Sequence, residues 1–358
     1  MLAASLASFI SRCREQKYLV DLPSVSIIIP VYNEHFSTLV RSIYSIVNRS
    51  PQELVEEILL VDDNSPRADT HERLDKFLSE HSADFDDKVR VVRLDQRSGL
   101  IGAKLAGAKA AKGKVLIFLD SHIEANVNWL PPLLEPMALH NRTVACPFID
   151  VIDEETLAYR AQDEGARGSF DWRMDYKRLP RNEEDKNFPI RPFDSPVMAG
   201  GLFAIWADHF WELGGYDPGL QIWGGEQYEL SFKLWMCRDG RMVDVPCSRI
   251  GHIYRKFGVF SFGNVLGSNI RRVADVWMDD YKKYIWERRP DFSRADPGDV
   301  SAQVSIFFNI HYLVLYSVVQ YHLQPLGKIA SEPTVQVFQM VYGECCLRSG
   351  QTLPCCGA

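Results

Sequence analysis

The sequence predicts an α/β fold: a parallel sheet with helices on both faces. Three features carry that prediction. Short, nearly continuous apolar runs recur between residues 24 and 119, as strands buried on both faces require. Segments with helical spacing of apolar residues alternate with them, joined by short links. The runs stop at polar clusters, and in such sheets ligands sit at the carboxyl ends of the strands.

Residues 24–30 (SVSIIIP) read as the first strand. A helix follows from Ser37, with Leu39, Ile43, Ile46 and Val47 on one face. Residues 57–61 form the next strand and end on Asp62-Asp63-Asn64-Ser65. A charged helix near 70–82 leads to a third strand at 89–94, which stops near Asp95 and Arg97. A small-residue helix at 99–111 precedes the strand that organises the chain, because it runs straight into Asp120-Ser121-His122. Side chains alternate along an extended chain, so Asp120 and His122 point the same way and make half of a divalent-metal site. An Asp-Ser turn that merely ends a strand explains the same residues. The joint placement of Asp62, Asp63, Arg97, Asp120 and His122 on one rim favours a site. No GxGxxG opens the first strand–helix unit, whose turn is Pro30-Val31-Tyr32-Asn33-Glu34, and no GxxxxGKS or GxxxxGKT occurs. A diphosphate held here therefore needs a metal. A helix at 128–140 and a strand at 144–151 complete the first half.

The 358 residues, 46% hydrophobic and 24% charged, suffice for one large or two modest domains. Net charge −7 and pI 5.8 leave no general nucleic-acid footprint, so an anionic substrate requires local basic groups or a metal. The eight cysteines fall at 13, 146, 237 and 247 and in a terminal cluster, with no zinc-type spacing. Residues 1–10 are too short to span a bilayer, and Arg12 and Arg14 follow them where a signal peptide carries its positive charge first. Residues 304–319 are apolar but interrupted by Asn309 and His311, so no membrane span is expected.

Between 153 and 194 the chain turns polar and irregular, a candidate boundary between two halves of one unit. The paired glycines of Met198-Ala199-Gly200-Gly201 allow a ligand or strand to approach. Trp223-Gly224-Gly225-Glu226-Gln227 offers an indole as a stacking surface, and its glycines allow movement; a tight turn around a buried Trp is the plainer alternative. A helix over 228–237 and a strand over 243–246 follow. After that strand, His252 can complete a site with Asp120 and His122, and Arg255 can meet a phosphate. A structural histidine and a surface ion pair are the alternatives.

Asp-Ser-His after a buried strand, then MAGGLF, GGYD, WGGEQYELSF and CSRIGHIYR, resembles the polypeptide N-acetylgalactosaminyltransferases over about residues 12–303. The resemblance implies a GT-A glycosyltransferase fold, with a Rossmann-like nucleotide-binding half and an acceptor-binding half in one catalytic domain. It implies retaining, Mn²⁺-dependent transfer of GalNAc from UDP-GalNAc to Ser or Thr of mucin-type peptides. Gln227-Tyr228, KLWMC and RRVADVWMDDY look most like the subgroup that prefers peptides already carrying GalNAc.

Position by position, it implies Asp120, His122 and His252 as Mn²⁺ ligands. Pro30, Asp63 and Arg97 would meet the uridine end of the donor, Ser121 the donor, Arg255 the diphosphate. Trp223 would lie over UDP and Glu226 beside the donor sugar, with Glu226, Asp120 and Trp223 as the catalytic set. Cys13 would pair with Cys247. Phe260 stands where the family has a tyrosine near UDP, Gly102 and Lys104 replace a pair of arginines, and Ile123 replaces a frequent cysteine. The expected division is a stem remnant at 1–21, a UDP- and metal-binding subdomain at 22–152, a connecting segment at 153–194, an acceptor-side subdomain at 195–303 and a divergent tail at 304–358. The family's membrane anchor and C-terminal lectin domain are expected to be missing. The implied compartment is the Golgi lumen, where the sequons Asn48-Arg49-Ser50 and Asn141-Arg142-Thr143 would be usable, Pro51 weakening the first. A transferase-shaped protein that binds UDP-sugar or glycopeptide without turnover is the competing reading. Two histidines and a carboxylate also form the facial triad of non-haem iron oxygenases, but those sites sit in barrels, not in alternating strand–helix chains.

Overall fold

The structure, a computed structural model, describes residues 12–162, 166–237, 240–255 and 265–304. Phe260, residues 1–11 of the expected stem and the tail from 305 lie outside the described residues.

The first half alternates as the sequence requires: β1 (Val25–Val31), α1 (Phe36–Arg49), β2 (Val55–Asp62), α2 (Glu72–Glu80), β3 (Val89–Arg93), α3 (Gly99–Ala110) and β4 (Val115–Phe118). β1 pairs in parallel with β2 and β4, and β2 with β3. The period-two alternation of strands sends Ile28, Leu116 and Phe118 to one face, with Ile101, Ala103 and Ala108 of α3. It sends Val25, Ile27, Ile29, Val115 and Ile117 to the other, with Leu39, Ile43 and Ile46 of α1. Both faces are therefore covered, which is why these runs are continuously apolar.

β5 (Ile123–Ala125), α4 (Leu130–Leu139), β6 (Thr143–Ile152), β7 (Tyr159–Arg160), β8 (Arg167–Phe170), β9 (Tyr176–Leu179), α5 (Glu183–Asn187), β10 (Phe193–Asp194), β11 (Phe203–Trp206), α6 (Ala207–Glu212), α7 (Glu226–Met236), β12 (Arg241–Ile253), α8 (Val265–Trp277) and α9 (Lys282–Arg288) follow. Among the described residues one sheet runs β10-β12-β6-β11-β4-β1-β2-β3, with β5 on β12 and β7 on β6, so both halves share a core. Three differences from the sequence reading stand out. The sheet is mixed, because β11 inserts antiparallel between β4 and β6. The region read as irregular contains short strands, including the β8–β9 hairpin, whose exposed polar residues hide any period-two signal. β12 does not stop at Pro246. A register shift between Val245 and Arg249 lets the strand pass the proline and continue to Ile253.

Cys13 and Cys247 form a disulfide, as the resemblance implied, tying the N-terminal segment to β12. Asp244, also on β12, is pushed by burial from 3.8 up to about 7, against the downward pull of its Ser195 hydrogen bond and the Arg178 charge. The folded chain thus binds a proton between those values that the unfolded chain has released. This group's contribution makes stability fall as pH rises from about 4 to about 7. Asp244→Asn should remove that cost, on the order of a few kcal/mol, so its melting temperature relative to the parent should be higher at pH 8 than at pH 4.5. Among the described residues no helix is long and apolar enough to cross a membrane.

Candidate active site

The carboxyl ends of β1, β2 and β4 open onto a cleft of about 450 Å³. Pro30, Asp63, Asp120, Ser121 and His122 line it from the first half; Trp223, Glu226, His252 and Arg255 line it from the second. Arg97 does not line it directly: its guanidinium lies 4.0 Å from the ring centroid of Tyr32, which does.

Asp120 leaves the sheet just past β4. The turn after it is pinned by Ser42 of α1, whose Oγ lies 3.0 Å from the carbonyls of both Ser121 and Ile123, with one proton to share between them, and receives the Ile123 N–H at 3.0 Å. His252 lies inside β12, opposite Ile123 of β5, and the Ile253 N–H donates to the His122 carbonyl at 3.1 Å. That ladder places the two imidazoles together, with ring centroids 4.7 Å apart. One ligand atom from each of Asp120, His122 and His252 lies within 4.8 Å of the others. His252 Nε2 is 3.1 Å from Asp120 Oδ2. Burial alone would raise the Asp120 pKa, but the His252 hydrogen bond and the charges of His252, His122 and Lys104 hold it well below the usual carboxylate range. An ionised carboxylate with two imidazoles suits a divalent first-row cation. Gly201 permits the approach on the sheet side: a Cβ there would stand 2.7 Å from Asp120 Oδ2.

Glu34 is the functional residue that sequence reasoning missed. Asn33 takes a left-handed turn (φ 53°), a conformation asparagine tolerates, and Glu34 follows it into the rim, 1% exposed. Its carboxylate accepts from Ser121 Oγ at 2.9 Å, His122 Nδ1 at 3.0 Å and Arg255 Nη2 at 2.5 Å. Burial would push its pKa up, but the hydrogen bonds and charges of His122 and Arg255 bring it down to about 2. A His122 that donates its Nδ1–H to the ionised Glu34 keeps Nε2 as its ligand atom, the carboxylate–histidine arrangement that fixes a ligand's tautomer.

Asp63, which lines the cleft, also caps a helix. Its Oδ1 accepts from the Ser98 N–H at 2.6 Å and its Oδ2 from the Gly99 N–H at 2.8 Å, capping α3. Glu226 opens α7, 3% exposed, and its Oε2 accepts the Gly224 N–H at 2.8 Å. Burial raises its pKa against the pull of the Lys104 charge. Lys104 is fully buried, donates to the Gly200 carbonyl at 2.7 Å, and feels both the Glu226 and Asp120 charges. The cleft thus joins a cation site, an arginine beside it, a buried carboxylate and an indole.

Residues 26–214 match Glycosyl transferase family 2, and residues 187–256 match the N-terminal domain of galactosyltransferase. N-acetylgalactosaminyltransferase 6 of Drosophila melanogaster is 58% identical over 301 residues, covering 82% of this chain and 44% of that protein. Polypeptide N-acetylgalactosaminyltransferase 10 of Homo sapiens is 54% identical over 295 residues, covering 81% of this chain and 48% of that protein. The chain belongs to Glycosyl transferase family 2, and over four-fifths of its length it is similar to polypeptide N-acetylgalactosaminyltransferases. A crystal structure of GalNAc-T7 with UDP, GalNAc and Mn²⁺ superposes with a TM-score of 0.78 at 40% identity, over 83% of this chain and 56% of that one. The GT-A fold expected from the sequence is thereby shown for this member of the family. The chain spans about half the length of the curated relatives it matches.

Proposed function

We propose that the chain is a retaining transferase that moves GalNAc from UDP-GalNAc to a Ser or Thr hydroxyl of a mucin-type peptide or GalNAc-bearing glycopeptide. The observation that carries this reading is the convergence of Asp120, His122 and His252 in one cleft, beside Arg255 and Glu226. Asp120, His122 and His252 would hold Mn²⁺, which when bound supplies Lewis-acid neutralisation of the leaving diphosphate. Arg255, paired with Glu34 through Nη2, would bind a phosphate oxygen. Pro30, Asp63, Arg97 and Ser121 line or border the nucleotide end, and Trp223 offers a stacking surface.

Retention then requires either a carboxylate nucleophile or same-face attack by the acceptor hydroxyl. The raised pKa of Glu226 and its engagement with Gly224 argue against a free nucleophile. In same-face attack the bond from sugar C1 to the β-phosphate oxygen breaks, the acceptor oxygen bonds to C1, and its proton passes to the departing phosphate. Residues 22–152 form the nucleotide and metal subdomain in this reading, 195–303 the acceptor side and 153–194 the connection. Gln227 faces the cleft, a position from which it can touch a sugar already on the acceptor. The Cys13–Cys247 disulfide fits an oxidising compartment such as the Golgi lumen.

The test is transfer of radiolabelled GalNAc to a GalNAc-bearing mucin peptide, with Mn²⁺ and with a chelator. Label incorporation with Mn²⁺, falling to background with chelator and restored by adding Mn²⁺, is expected. Binding of UDP with no label transferred would leave only a sugar-nucleotide-binding protein.

A further inference from the structure

The segment that carries Trp223 cannot hold its own shape. Three of its residues lie in the left-handed region, Ile222 (φ 50°), Gly224 (φ 91°) and Gly225 (φ 95°), and Ile222 is β-branched, for which that region is unfavourable. Backbone in such a conformation persists only when its surroundings impose it. From α3, the Ile101 N–H reaches the Ile222 carbonyl at 3.4 Å, a long contact. Asn269 of α8 supplies further contacts to it.

We propose that Asn269 is a positioning residue of the cleft: its amide clasps the backbone of residues 221–224 and so sets where Trp223 and Glu226 stand. Asn269 is 1% exposed. Its Oδ1 accepts the Gln221 N–H at 3.0 Å. Its Nδ2 donates to the carbonyls of Gln221 at 2.7 Å and Gly224 at 2.8 Å, with the Trp223 carbonyl at 3.2 Å sharing a proton. Only this orientation of the amide works, because the reverse would set an oxygen against three carbonyls.

The clasp is mounted on a fixed element. Arg272, one turn further along α8, makes a bidentate pair with Asp217 at 2.6 and 3.0 Å, and its Nη1 donates to the Pro297 and Asp299 carbonyls. The backbone Asn269 holds is the same backbone whose Gly224 N–H meets Glu226 Oε2, so the clasp and the buried carboxylate share one segment. Letting go of the Gly224 carbonyl therefore loosens both cleft residues at once.

The catalytic consequence rests on the transferase reading, whereas the clasp itself does not. The experiment uses the full chain carrying Asn269→Ala or Asn269→Asp. Ile285→Ala, a cavity at a fully buried position on α9, serves as a control for general destabilisation. Amide hydrogen exchange without any substrate should show residues 221–225 exchanging about tenfold faster or more in both Asn269 variants, with β1 amides unchanged and no such local effect in Ile285→Ala. Calorimetry with UDP and Mn²⁺ should show about tenfold or more weaker binding, and kinetics a raised donor KM with acceptor KM unchanged. Native exchange over 221–225 in the variants, or the same acceleration in Ile285→Ala, overturns the clasp. Faster exchange with parental UDP affinity overturns its link to the cleft. A parental chain that binds no UDP sinks the transferase reading, and the exchange data still decide the clasp.

Discussion

Asp120→Ala is expected to lower GalNAc transfer at least about a thousandfold, roughly 4 kcal/mol of transition-state stabilisation, while the chain stays folded. Asp120 is the sole carboxylate of the three converging residues, so its loss leaves two imidazoles and no anionic ligand to hold a dication. The effect reaches Lys104 as well. That ammonium is fully buried and balanced by the charges of Glu226 and Asp120, so the variant leaves Glu226 to balance it alone. Asp120→Asn separates the two losses: it keeps the volume and one oxygen donor but removes the charge, and should fall almost as far. Electron paramagnetic resonance of free Mn²⁺ should report at least about a hundredfold weaker binding in either variant. Secondary structure by circular dichroism should match the parent, because Asp120 lies beyond the end of β4. Retention of a tenth of the parental transfer by Asp120→Ala would remove this residue from the site.

The rim was legible in the sequence wherever a buried strand ended on a charged residue. Asp62 ends β2, Asp63 follows it and Asp120 stands just past β4, and apolar runs buried on both faces announce themselves without a partner in view. His252 was placed with the right companions for an incomplete reason. The sequence put it after a four-residue strand, whereas it stands near the end of a 13-residue strand that passes Pro246 through a register shift. Its neighbour is fixed by the β5–β12 ladder, and β5 is too short to give a periodic signal. Asn269 was invisible for a different reason. A polar residue on an otherwise amphipathic helix reads as solvent-facing until the backbone it serves is known. Glu34 fell between these cases. It follows Tyr32-Asn33 in a turn, where a glutamate is ordinarily exposed, yet that turn leaves the carboxyl end of β1, the edge where ligands gather.

Glu34→Gln should cost about 10- to 100-fold in Mn²⁺ affinity and at least as much in transfer, although Glu34 is itself no ligand of the ion. The parent carboxylate serves four donors: the His35 N–H, Ser121 Oγ, His122 Nδ1 and Arg255 Nη2. A glutamine offers one acceptor oxygen and an NH₂ group that cannot receive from any of them. One side of the hub therefore loses its partner. In either orientation the Arg255 guanidinium loses its counter-charge, and if the NH₂ group takes the place of Oε2 it faces Ser121 Oγ and His122 Nδ1, so the His122 tautomer is no longer fixed. Either way His122 loses the neighbouring negative charge that makes its Nε2 a better donor. Glu34→Asp retains the charge with a shorter reach and should recover part of the loss, which separates charge from packing. The pattern to look for is an increase in the Mn²⁺ concentration giving half-maximal transfer, with partial recovery of rate when Mn²⁺ is raised. A simple fall in the amount of folded protein would not respond to added metal. If the Mn²⁺ requirement of Glu34→Gln equals that of the parent, the hydrogen bond between Glu34 and His122 has no part in holding the ion.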